Sequence, residues 1–147
     1  MEHIFGILGN HPSSDLINYA AKLIDDSDDQ ILSRIAHQNT EIITFGNGVG
    51  NTFKTNKKAH GFSFQLGEII PPNKIFTPDA NYDYSISRLS DGCFVAGYVN
   101  ELRKNVSLCT DPFGLHPLYY VFDKTNIIFS SSLNLLINAS MIDLTLD

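Results

Sequence analysis

From its third residue the chain alternates. His3, Phe5 and Ile7 fall in one phase and Ile4, Gly6 and Leu8 in the other, until Gly9-Asn10 breaks the run. The pattern predicts a strand at the very start, where most chains fray. The period then changes. Over "HPSSDLINYAAKLIDD" (11–26), Leu16, Ala20 and Leu23 share one helical face, with Ile17, Ala21 and Ile24 beside them. Ser13 or Ser14 is placed to cap this helix. A second short helix is expected from about Asp28 to His37, with Ile31, Leu32, Ile35 and Ala36 turned inward and His37 near its C-terminus. Period two returns in "EIITFG" (41–46) and "GFSFQLG" (61–67), which read as strands. The glycine-rich run Gly46 to Gly50 between them has no helix pattern after it. It therefore reads as a hairpin-type loop and not as a phosphate cradle. Lys54, Lys57 and Lys58 read as a solvated connection, and 69–85, with Pro71, Pro72 and Pro78, as a loop with extended pieces.

The second half carries four β-like runs: 93–100, 105–111, 118–123 and 126–132. "ELRK" joins the first two and "KT" the last two, both short enough for hairpins. Ser131 or Ser132 is expected to cap a short helix, "LNLLINA", and "MIDLTLD" to add an extended piece. Helices within a strand-rich chain of antiparallel hairpins predict an α+β fold.

Composition narrows the classes of function. At 147 residues the chain fits a single domain, 1–147, with a substantial core. The net charge of −6 argues against a nucleic-acid partner, which would want a basic face. No apolar stretch approaches the ~20 residues of a membrane span. No basic segment followed by an apolar one opens the chain, so a cytoplasmic location is expected. Cys93 and Cys109 both lie in apolar β-like runs and read as reduced core thiols. Asp15, Asp25, Asp26, Asp28 and Asp29 read as a solvated junction between helices, where Ser27 and Gln30 suit a cap and a first turn. No metal site is expected.

Between the second and third of the later strands lies "TDPFGLHPLYY". Asp111 can accept backbone N–H bonds across the turn, Pro112 fixes φ, Gly114 can take positive φ, and Pro117 ends the turn. With its surroundings, this segment resembles the second half of the class II glutamine amidotransferase domain. The form it is most similar to stands at the N-terminus of asparagine synthetases, β-lactam synthetases and lasso peptide cyclases. The matching motifs run from Leu89 to Phe94, from Asp111 to Tyr120 and from Phe129 to Leu136, with looser agreement in "FGILG" and "FQLGEI".

The resemblance implies an N-terminal nucleophile hydrolase fold, a four-layer αββα sandwich of two antiparallel sheets with the first strand in a central place. Working members begin Met-Cys-Gly-Ile. After loss of Met, the Cys thiolate attacks the glutamine amide with the α-amine as its base. In this chain the nucleophile position is Glu2, which offers neither thiol nor hydroxyl. The arginine that clamps the substrate carboxylate in the family would fall near Phe45 to Val49, where no arginine occurs. The family's oxyanion donors are an Asn amide and a Gly N–H. They align with Leu66 and Gly67. No catalytic residue is therefore expected, and His3, Leu66, Gly67 and Glu68 mark a vestigial pocket.

The Ser-Gly-Gly-x-Asp-Ser loop of an ATP-pyrophosphatase domain is also missing from this sequence. ATP and Mg are expected only in a partner synthetase domain or chain, together with that partner's peptide or small-molecule substrate. The expected function is a catalytically silent glutaminase-like domain that supports such an amide-forming partner. Two alternatives stand beside it: a module binding a different small ligand, and an amidohydrolase using His3 with Glu2.

Overall fold

The computed structural model describes residues 2–9, 14–37, 39–47, 52–70, 91–103, 105–123 and 126–140. The expected pieces at 71–85 and 141–147, and the "KT" turn, lie outside them. The elements run β1 (His3–Gly9), α1 (Ser14–Asp25), β2 (Gln30–His37), β3 (Thr40–Gly46), β4 (Lys54–Lys58), β5 (Gly61–Ile70), β6 (Asp91–Asn100), β7 (Asn105–Thr110), β8 (Tyr119–Asp123), β9 (Asn126–Ser130) and α2 (Leu133–Ser140). They form two antiparallel sheets and two helices, the α+β content expected. No helix among the described residues is long and apolar enough to cross a membrane.

The chain divides into two compact units, Met1–Asn51 with Tyr119–Asp147, and Thr52–Leu118. The first holds a five-stranded sheet in the order β2-β3-β1-β9-β8. The opening strand is therefore the middle one, with Ile4 to Leu8 buried on both faces. On one face Phe5, Ile7, Ile43, Phe45 and Ile128 form a core with Ile17, Ala20 and Ile24 of α1 and Leu135, Leu136 and Ala139 of α2. The i, i+3, i+7 spacing of the α1 residues is what brings them onto one stripe.

The helix expected over 28–37 is instead β2, paired with β3 from Gln30↔Gly46 to His37↔Thr40. The register skips Leu32 between Ile31 and Ser33. A bulge places one extra residue in the strand, so the side-chain alternation slips by one. That slip turns the apolar set Ile31, Leu32, Ile35 and Ala36 into a false helical pattern. His37 accordingly ends a strand. Ser27 closes α1 and does not open a second helix. Its hydroxyl donates to Ile24 O at 2.6 Å and accepts from Asp29 N–H at 3.1 Å.

The second unit holds a four-stranded sheet in the order β4-β5-β6-β7. The lysines expected in a solvated connection sit in its edge strand β4, "KTNKK", paired with β5 from Lys54↔Gln65 to Lys58↔Gly61. Lys54 and Lys57 are exposed. Lysines on an edge discourage pairing with a further strand. The β5 strand runs on to Ile70, past the expected end. The "ELRK" hairpin forms as expected, and Asn100 Oδ1 accepts from Arg103 N–H at 3.0 Å within it.

Candidate functional site

Three places carry the expected site residues. The first is the start of β1. Glu2 is half-buried there. The His3 ring stacks on Phe45 with centroids 5.3 Å apart, and its Nδ1 lies 3.3 Å from Ser131 Oγ. Burial, the main effect, lowers the His3 pKa from its ordinary 6.5; Asp29 pulls it upward and the amino terminus pushes it down. The next residue is gripped on both sides. Ile4 N–H donates to Ser131 Oγ at 2.9 Å, and Ile4 O accepts from Ser131 N–H and Ser130 Oγ, each at 2.9 Å. The grip continues into α2, because Ser130 Oγ accepts from Ser132 N–H and Ser132 Oγ accepts from Leu135 N–H at 3.3 Å. Ser132 is thus the N-cap that the sequence offered.

The second place lies on β5. Leu66 is wholly buried, Gly67 half-buried and Glu68 exposed. Gly67 has φ +89°, and a Cβ there would run into the backbone O of Cys93, so no other residue fits. Its N–H donates to Thr52 Oγ1 at 3.0 Å. The pairing of β4 with β5 stops at Lys54↔Gln65. Continued by two residues, the same register would set Thr52 opposite Gly67. The threonine hydroxyl thus supplies the acceptor that the ladder no longer provides. Gly67 O accepts from Gln65 Nε2 at 3.1 Å. Both backbone groups of Gly67 therefore have partners within this unit. Nothing in the sequence pointed to Thr52, which stands far from Gly67 in an unpatterned stretch.

The third place is the turn after β7. Asp111 is 2% exposed. Its Oδ1 accepts from Phe113 N–H at 3.1 Å and Leu115 N–H at 3.0 Å, and its Oδ2 from His116 N–H at 3.0 Å. Its backbone O accepts from Gly114 N–H, and its own N–H reaches Phe94 O, both at 3.0 Å. Burial works against the carboxylate charge, but the bonds from Leu115, His116 and Phe113 outweigh it and hold the carboxyl below its usual range. Gly114 has φ +63° with open space around its Cα, so it is needed for conformation alone. Pro112 is exposed and Pro117 half-buried, flanking the turn as the sequence implied.

His3 belongs to the first unit, and Leu66, Gly67 and Glu68 to the second, as consecutive residues of one strand. Both cysteines are free thiols. Burial raises the Cys109 pKa to about 11. Cys93 is also raised, by burial and then by the charge of Asp111. Neither is a ready nucleophile. Among the described residues, no group of three or more His, Cys, Asp or Glu could hold a metal ion.

The described residues thus form two antiparallel sheets and two helices, with a buried opening strand and a carboxylate-centred turn before β8. Residues 79–138 match the model of the family described as the glutamine amidotransferase domain, as a class II glutamine amidotransferase domain does. The matched span contains the Asp111 turn, the β8–β9 pair and most of α2. A search of curated proteins found no match to this chain.

Proposed function

We propose that the chain is a catalytically silent glutaminase-like domain. It supports an asparagine-synthetase-like, ATP-dependent amide-forming partner, in the same chain or a separate one, and that partner carries the ATP and Mg. The observation that carries this reading is the bond from Gly67 N–H to Thr52 Oγ1. By the family resemblance Gly67 would donate to the oxyanion, and here that donor is already engaged. Leu66, where the family's amide donor would stand, has no N–H on its side chain and is fully buried. Gln65 offers an amide nearby, and one of its two N–H donors goes to Gly67 O. Glu2 occupies the nucleophile position.

Amide hydrolysis at neutral pH needs a nucleophile, a base and a donor for the developing oxyanion. Loss of one oxyanion donor alone typically costs on the order of 100-fold or more in rate. The domain would then be retained for its shape, with the partner taking its nitrogen nucleophile from its own substrate. The test is glutamate release from glutamine by the purified protein, expected at background. Robust release that is abolished by His3→Ala would refute silence and support the amidohydrolase reading.

A further inference from the structure

We propose that His3 and Ser131 form a proton-gated latch on the first strand: neutral His3 accepts the Ser131 hydroxyl proton and so holds Ser131 Oγ on Ile4 N–H, and protonation of the ring releases both.

The latch rests on the geometry of one hydroxyl. Ser131 is 4% exposed, and its Oγ accepts from Ile4 N–H. The hydroxyl proton therefore needs an acceptor of its own, since an unsatisfied buried donor is costly. Among the described residues, His3 Nδ1 at 3.3 Å is the acceptor it meets. This bond fixes the ring with its proton on Nε2. A protonated imidazole carries N–H on both nitrogens and accepts nothing. Ser131 Oγ has a second lone pair for His3 Nδ1–H, but its own proton then has no acceptor among the described residues. The hydroxyl must turn to find one, and its hold on Ile4 N–H weakens.

The consequences spread along printed bonds. Ser131 N–H and Ser130 Oγ hold Ile4 O, and Ser130 and Ser132 carry the turn into α2. The start of the central strand and the start of the last helix are thus joined through three serines. The charges acting on the ring are few. Asp29, just before β2, favours the proton, and the amino terminus opposes it. Phe45 from β3 and the serines from the turn after β9 carry no charge. Burial adds to the preference for the neutral ring. The latch is therefore closed at neutral pH and opens in mild acid. It does not depend on whether glutamine is hydrolysed.

The test is a proton NMR titration of the intact chain between about pH 8 and about pH 5, the range over which histidine switches. It follows the His3 ring resonances and the exchange protection of the Ile4 amide. The His3 midpoint is expected below 6.5. Ile4 protection should fall about tenfold with that same midpoint, the loss of one hydrogen bond, while Phe5 to Leu8 stay protected. Ser131→Ala should raise the His3 midpoint and remove the extra Ile4 protection already at neutral pH. Ser131→Thr, which keeps the hydroxyl, should restore both. Ile4 protection that ignores the His3 titration in the wild-type chain would overturn the proposal, whether or not the variants fold. So would a His3 midpoint unmoved by Ser131→Ala in a folded variant.

Discussion

In the five-stranded sheet the Phe129 ring covers Gly6, and in the four-stranded sheet the Phe64 ring covers Gly97. In each case the two residues stand directly opposite in antiparallel register. A Cβ on either glycine would enter the facing ring. The two units thus meet one packing problem alike, an aromatic side chain filling the space a glycine leaves. They differ in what holds the rest. The first unit gathers eleven buried apolar residues from β1, β3, β9, α1 and α2. The second buries Phe62, Phe64 and Leu66 of β5 with Phe94, Val95, Ala96 and Val99 of β6. Polar side chains tie its backbone as well, through Asp111, Thr52 and Gln65, as Ser130 and Ser131 tie that of the first unit. The sheet edges differ too. The β2 edge is bulged and the β4 edge carries lysines, whereas β8 exposes Tyr120 and Phe122 in edge-to-face contact. The comparison teaches that the first unit should be most sensitive where its sheet packs on α1 and α2, and that in the second the loss of a single acceptor or glycine should already be costly.

The largest effect is expected in the first unit. Phe5 is fully buried at the centre of the core, so Phe5→Ala should destabilise by about 3–5 kcal/mol in chemical denaturation. A loss below ~1 kcal/mol would mean that the core does not centre on β1.

In the second unit, Asp111→Ala leaves three backbone N–H groups without their acceptor and should cost about 3 kcal/mol. Its pH signature follows from the lowered carboxyl pKa. The stabilisation is fully present above the unfolded value of about 3.9 and is lost as pH falls through the lower folded value. Wild type and Asp111→Ala should therefore converge in stability in strong acid. A constant gap would show that the carboxylate charge is not what holds the turn.

Two of the glycines at positive φ give a smaller and internally controlled contrast. Gly114→Ala meets no neighbour, so it should cost only the ~1–2 kcal/mol of a left-handed residue. Gly67→Ala adds a collision with Cys93 O to the same strain and should cost clearly more. Equal losses would remove the close approach that fixes Gly67 against β6.

Much of this architecture is legible in the sequence where local pattern and tertiary role agree. β1, α1 and the four later strands show their periods plainly. The Asp111 turn announces itself because its acceptor, proline and glycine all lie within a few residues. The failures have physical reasons. Leu32 in the bulge breaks the alternation of β2, and "KTNKK" in β4 has no apolar phase because an edge strand needs none. The residue types at Glu2 and Leu66, on which the proposed silence rests, could be read directly. Thr52 on Gly67 and Ser131 on Ile4 could not, because each bond joins residues far apart in sequence. The serine run 130–132 hinted at a helix cap and gave no sign that it also grips the first strand.

The most direct test of the proposed silence, and of its resting on more than the nucleophile, is Glu2→Cys. After removal of Met1, this variant regains the thiol and the amine base together. Glutamate release from glutamine should still stay at background, because Gly67 N–H remains bonded to Thr52 and Leu66 offers no amide. Turnover restored by that single change would show that only the nucleophile had been lost and would contradict the account.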